Sequence, residues 1–209
     1  MLHLVGTTSE AWLQVALDAM DRVLVDHAHC EHKAAVTALA FCSKYPDDPR
    51  LVSTLGALAR DEAGHFARVV DLCVARGLPL GHPEKDPYVD ELLSAVRKTS
   101  VLHTRVDRLL CCALIEGRSC ERMKLLARAL PEHRGRDKAG VVDDVVCALY
   151  DELWREEATH HLLFVELAER SLARGGVRDP AAELRLRLDE LSAHEGAVVA
   201  RLPPRPAIH

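Results

Sequence analysis

Two short segments place an acid three residues ahead of an imidazole. "DEAGH" at 61–65 pairs Glu62 with His65, and "REEATHH" at 155–161 pairs Glu157 with His160. On an α-helix each residue advances about 100°, so residues three apart share a face. The neighbours on those faces are Leu55, Leu58, Val69 and Cys73 for the first pair and Tyr150, Leu153, Phe164 and Leu167 for the second. Both faces are otherwise apolar and should point into a core. A carboxylate buried there is costly unless it is hydrogen-bonded, paired or bound to metal.

Two more acids stand where leucine would be expected. Glu31 is flanked by His27, Ala34, Ala35 and Ala38, and Glu116 is the lone acid between Asp107 and Glu121 in "LLCCALIEGRSCERM". One Glu from each of two helices, plus Glu-x-x-His from each of two others, is the ligand set of di-iron or di-manganese carboxylate bundles. Four carboxylates balance two divalent ions, so such a site is neutral in the core only with both metals bound. Oxygen donors with imidazole suit iron or manganese better than a soft-ligand metal. The competing assignment pairs the acids with Arg or His across the core, and the repetition in both halves weighs against it.

Other registers exist. Asp61 lies four before His65 and His161 four after Glu157, but the three-residue spacing applies to both halves. His27 and His32 flank Glu31, and His27 fits a supporting or core role better than a ligand role. Tyr150 fits a core tyrosine better than a redox tyrosine. Cys112 and Cys120, near Glu116, fit the lining of an apolar pocket.

The elements that must position these residues read as all-α, because helical periodicity dominates and strand-like alternation is scarce. Thr7 with Glu10 forms a capping box ahead of a first helix running to about Phe41. Asp48 and Pro49 open a second helix that ends at Gly77. Asp86 and Pro87 open a short helix to about Arg97, and a longer one follows from about Val101 until Pro131 stops it. A fourth long helix ends near "RGG" at 174–176, and Asp179 with Pro180 opens a last helix to about Arg201. The tail "LPPRPAIH" reads as frayed. Four long helices with a crossover over about 77–100 and accessory helices make a four-helix bundle, one domain spanning 1–209.

The 209 residues carry a net charge of -5, which excludes a uniformly basic nucleic-acid binder. Residues 97–138 nevertheless hold 11 Lys/Arg against 5 Asp/Glu, a net of +6. Arg118, Arg122, Lys124, Arg128, Arg134 and Arg136 are the candidates there for phosphate contacts. Seven cysteines without a C-x-x-C pair indicate neither a zinc knuckle nor a disulfide framework. With no leader-like start and no apolar 18-residue window, the sequence reads as cytoplasmic and without a membrane span.

Four segments carry a more specific pattern: "VDHAHCEHKAA" at 25–35, "ARDEAGHF" at 59–66, "ALIEGRSCERM" at 113–123 and "EEATHH" at 156–161. They resemble the ferritin-like tRNA hydroxylases that act on 2-methylthio-isopentenyladenosine beside the anticodon. The resemblance runs from about Leu4 through "AHEG" in the last helix. It implies a ferritin-like bundle and a non-haem di-iron monooxygenase with two iron ions, manganese being compatible with the same donors. Glu31 and Glu116 would be terminal carboxylates, Glu62 and Glu157 bridging carboxylates, and His65 and His160 the imidazoles. Gly117 and the form "EEATHH" depart from the family pattern and leave that set intact. The implied reaction hydroxylates an allylic carbon of the isopentenyl group in tRNA. No flavin, nicotinamide or iron–sulfur signature is present, so electrons would come from a separate reductase or ferredoxin. A monomer or small homo-oligomer fits this activity. Among the alternatives, a rubrerythrin-like peroxidase would carry a C-x-x-C module, an iron-storage protein would form a hollow shell, and a helical interaction module would bind no stoichiometric metal.

Overall fold

The computed structural model describes residues 3–209; Met1 and Leu2, the start of the segment read for a leader, lie outside the described residues. Most helices begin where a short polar side chain accepts from a backbone N–H of the first turn. Ser9 does so for α1 (Glu10–Asp18), Asp48 for α3 (Pro49–Ala75), Asp86 for α4 (Pro87–Ser94) and Ser100 for α5 (Val101–His133). Asp143 starts α6 (Asp144–Glu157) and Asp179 starts α8 (Pro180–Arg201). Proline supplies the first helical residue of α3, α4 and α8, where its missing N–H has no helical partner to lose. α2 (Met20–Lys44) and α7 (His160–Arg174) start without a side-chain cap. No strand occurs among the described residues.

Four expectations about where helices start and stop are corrected. The first cap is Ser9, whose hydroxyl accepts from Trp12 N–H at 3.2 Å, while the neighbouring Thr8 hydroxyl donates to Glu121. The first long helix is two helices, interrupted at Ala19 with φ -142° and ψ 50°. Pro131 does not stop α5, which continues to His133; so near the end of a helix proline removes only one bond. The fourth long helix is also two, because the chain leaves the helix at Ala158 and Thr159 and re-enters at His160.

α2 packs mainly along α3, and α5 along α6 and α7. The apolar interior divides into two clusters. One gathers Phe41, Leu51, Leu55, Leu58, Leu109, Leu114, Phe164 and Leu167. The other gathers Trp12, Leu24, Val69, Met123, Leu126, Tyr150 and Leu153. Each of the four bundle strands of helix passes from one cluster to the other, α2 and α6–α7 in one direction and α3 and α5 in the opposite one. The connection 76–100 therefore returns the chain along the bundle, as the crossover reading requires. At the waist between the clusters each helical path carries its acid: Glu31, Glu62, Glu116 and Glu157.

The residues beyond α8 are docked rather than frayed. Ala207 and Ile208 are buried, and the Trp12 indole N–H donates to the Ala207 carbonyl at 3.1 Å. Arg118 on α5 ties the accessory parts to the bundle. Fully buried, it donates twice at 2.8 Å to Glu195 of α8, once to the Gly6 carbonyl at 3.0 Å, and also pairs with Glu121. Replacing Arg118 by alanine strands buried Glu195, whose other partner is the Tyr88 hydroxyl at 3.0 Å. Denaturant melts should show a loss of roughly 3–5 kcal/mol, the usual cost of breaking a buried pair. Arg118→Ala melting within 1 °C of wild type (about 0.4 kcal/mol) would contradict this role.

Candidate metal centre

The fold brings the six predicted residues together. Glu31, Glu62, His65 and Glu157 form one group, and Glu62, Glu116, Glu157 and His160 a second, each with candidate donor atoms within 4.8 Å of one another. Glu62 and Glu157 belong to both groups. All six are buried, Glu62 completely and Glu116, the most open, at 9% exposure.

The short contacts do not close as hydrogen bonds. His65 Nδ1 lies 2.6 Å from Glu157 Oε1, 3.5 Å from Glu62 Oε2 and 3.7 Å from Glu31 Oε2. His160 Nδ1 lies 2.6 Å from Glu157 Oε2 and 3.0 Å from Glu62 Oε1. Yet both oxygens of Glu62, both of Glu157 and both Nδ1 atoms lack a hydrogen-bond partner. The angles are wrong for N–H donation, as they would be if these lone pairs converge on points between the side chains rather than on one another. Orphaned buried donors of this kind fit divalent ions.

The outer contacts are unequal. Glu31 accepts from His27 Nε2 at 2.6 Å, and His27 Nδ1 lies 3.3 Å from the Tyr150 hydroxyl. His65 Nε2 lies 3.0 Å from Glu156, which Arg68 holds at 2.7 Å. The Glu116 carboxylate takes part in no hydrogen bond among the described residues. Glu156 and Arg68 escaped sequence reasoning, since exposed acids and bases on helices seldom point to a site.

Electrostatics follow from burial and crowding. Burial pushes the Glu116 carboxyl well above its usual range, and Glu62 and Glu157 push it further. Burial alone would also raise Glu31, but His27 and His65 hold it down at about 2. Burial would lower both imidazoles, but Glu157, Glu31 and Glu62 hold His65 up at about 12, and Glu157 and Glu62 hold His160 up at about 10. The crowded carboxylates thus favour the protonated, cationic form of both imidazoles in the metal-free protein.

The rival residues lie elsewhere. Asp61 is exposed and pairs with Arg60, and His161 packs edge-on to His3 at 6.2 Å. His32 is exposed against Phe66, and Cys120 donates to the Trp154 carbonyl. Cys112 lines a cavity of about 100 Å³ that opens onto all four glutamates, with Val89, Ile115, Met123, Phe164 and Ile208 as apolar walls. Neither site histidine lines it, so the carboxylates face the cavity and the imidazoles lie behind them. Half-buried Lys33, Thr37 and His209 add polar groups where it meets solvent.

The basic segment 97–138 is not a single surface. Arg118 and Arg122 are buried. Arg97 pairs with Asp107 and Arg105 with Asp48, while Lys124 sits over the Trp154 ring at 4.8 Å. Lys98 at one end of α5 and Arg128, Arg134, Arg136 and Lys138 at the other are exposed.

A bundle with carboxylates from four helical paths and two inward imidazoles defines a ferritin-like oxygenase-type protein. A protein from Synechococcus with aldehyde deformylating oxygenase activity superposes on it with a TM-score of 0.83, at 34% identity, covering 99% of this chain and 94% of that one. The chain belongs to the tRNA-(MS[2]IO[6]A)-hydroxylase (MiaE) family, whose model matches residues 2–209. Two relatives are named tRNA 2-(methylsulfanyl)-N(6)-isopentenyladenosine(37) hydroxylase. The one from Pseudomonas putida is 35% identical over 184 residues, 86% of this chain and 83% of its own. The one from Salmonella typhimurium is 28% identical over 212 residues, 78% of this chain and 74% of its own. Among the described residues no helix is long and apolar enough to cross a membrane.

The imidazoles set opposite pH slopes for the metal-free and metal-loaded states. A raised folded pKa gives stability that is complete below the unfolded value of 6.5 and fades as pH rises toward about 10 for His160 and about 12 for His65. Chelator-treated protein should therefore melt at progressively lower temperature from pH 6.5 to 9. Divalent-ion affinity should rise over the same window, because binding must displace those protons. Parallel slopes in melting curves and metal titrations would contradict this account.

Proposed function

We propose that the two groups hold two iron ions, with Glu62 and Glu157 bridging, Glu31 and His65 completing one position, and Glu116 and His160 the other. On this reading the protein is an O2-dependent hydroxylase of the isopentenyl group of 2-methylthio-isopentenyladenosine in tRNA, working in the cytoplasm. The observation that carries it is the sharing of Glu62 and Glu157 between two four-residue groups beneath an apolar cavity. Family membership supplies the substrate class.

When bound, the iron pair supplies oxygen activation: one oxygen atom enters a C–H bond and the other leaves as water, using two electrons and two protons. The electrons come from a separate reductase or ferredoxin. The chain's own residues do the rest. The cavity is small beside typical ligand pockets of roughly 300–1,000 Å³, so it suits a short branched chain rather than a whole nucleoside. Val89, Ile115, Met123 and Phe164 exclude water and hold that chain against the glutamates. His27 fixes one oxygen of Glu31, whereas no side chain among the described residues hydrogen-bonds the Glu116 carboxylate, which would hold its metal unbraced. Lys33, which has no ion-pair partner among the described residues, stands where a nucleotide phosphate would approach.

Glu116→Gln keeps the shape of the side chain and removes its charge. Iron content, near two per wild-type chain, and hydroxylation measured by mass spectrometry of tRNA nucleosides should fall together. The chelated variant should melt at or above the wild-type temperature, since an amide is neutral without taking up the proton that burial and the nearby Glu62 and Glu157 force on Glu116. Full iron and turnover in a variant that melts far lower would overturn the ligand role. Lys33→Glu should weaken tRNA binding several-fold at low salt and much less at high salt; equal loss under both conditions would remove Lys33 from the RNA contact.

A further inference from the structure

Residues 202–209 leave α8 and cross the bundle toward α2 and α5. Packing holds this strap only at its end, where Ala207 and Ile208 are buried and Ile208 joins the second apolar cluster; cavities of about 40 and 280 Å³ flank the rest, the first lined by Pro203 and Pro204 and the second by Pro206 and Ala207. Polar contacts hold that end too. The Asp26 carboxylate of α2 accepts the Ile208 N–H at 2.7 Å, and Arg122 of α5 donates to the Ile208 carbonyl at 3.0 Å. Arg122 is only 7% exposed and has no carboxylate partner among the described residues. Its remaining contacts are the Thr8 hydroxyl at 3.4 Å and the Trp12 ring at 4.9 Å. His209 completes the anchorage, its Nε2 lying 2.7 Å from the Ser119 hydroxyl. Two charged side chains from different helices thus converge on the peptide groups of one residue.

That residue walls the cavity over the glutamates, and it is the one apolar wall of the cavity that no helix supplies. Resting on the hydroxylase reading above, we propose that Ile208 is a specificity-determining residue. It sets the room beside the prenyl chain, and Asp26 and Arg122 are positioning residues that hold it there. The ligand class is an adenine bearing a branched alkenyl chain, and the property under control is tolerance of a second apolar substituent on the ring. Loss or gain of about one methylene in such a wall changes discrimination by roughly 10–200-fold.

The test compares kcat/KM on tRNA carrying isopentenyladenosine with and without the 2-methylthio group, using iron-loaded protein. Ile208→Phe should lower the ratio of methylthio to plain substrate by about tenfold or more, the size of effect one side-chain step produces. Ile208→Ala should not lower it, and should speed formation of the ferric–azide absorption band by opening the wall. Arg122→Met should loosen the wall and shift both readouts as Ile208→Ala does, with Arg122→Lys restoring them in part. Ile208→Val keeps the comparison open if alanine destabilises the strap, with a smaller shift of the same sign. A ratio within twofold of wild type in Ile208→Phe, at full iron content, overturns the proposal. If wild type hydroxylates neither RNA, the substrate reading falls instead. The wall is then decided by azide alone, and an unchanged association rate in Ile208→Ala and Ile208→Val rejects it.

Discussion

Four carboxylates converge at the waist of an apolar bundle, and the rest of the structure answers to that fact. Charge of one sign cannot stay uncompensated between two hydrophobic clusters. The protein supplies compensation in layers. His27 stabilises the charge on Glu31, His65 and His160 are driven to hold protons, and Glu116, which has no such partner, is driven toward its neutral form. Divalent ions would replace all three devices at once. The long crossover belongs to the same constraint, because it lets α3 and α5 run parallel and bring Glu62 and Glu116 to one level.

The outer contacts divide the site unevenly. The Glu31 and His65 side is braced by His27 with Tyr150 and by Glu156 with Arg68. The Glu116 and His160 side carries no matching brace among the described residues. The unbraced side is also where α6 gives way to α7, so rigidity and openness fall on opposite halves of one cluster.

How much of this was legible depended on whether the cause was local. Glu62 with His65 could be read because a continuous helix fixes their spacing. Glu31 and Glu116 could be read because an acid in an apolar run demands a reason. The interruptions at Ala19 and at Ala158–Thr159 could not, since alanine and threonine are compatible with a helix and tertiary packing decides the break. The docking of residues 207–209 was hidden for the same reason: its partners Trp12 and Asp26 lie 195 and 182 positions away. Charge counting misled at Arg118 and Arg122, because the sum over 97–138 does not distinguish a cation facing water from one enclosed by Glu195 or Trp12.

The turn between Glu157 and His160 makes the two similar motifs differ in what they would tolerate over evolutionary time. In "DEAGH" the two residues ride one helix, so inserting a residue between them would swing His65 by about 100° and take it out of the cluster. In "EEATHH" the regular helix is already interrupted by a turn at Ala158 and Thr159, and a turn absorbs a change of length more readily than a continuous helix does. Insertions, deletions and altered spelling should therefore accumulate among homologous chains at the second motif and be purged from the first.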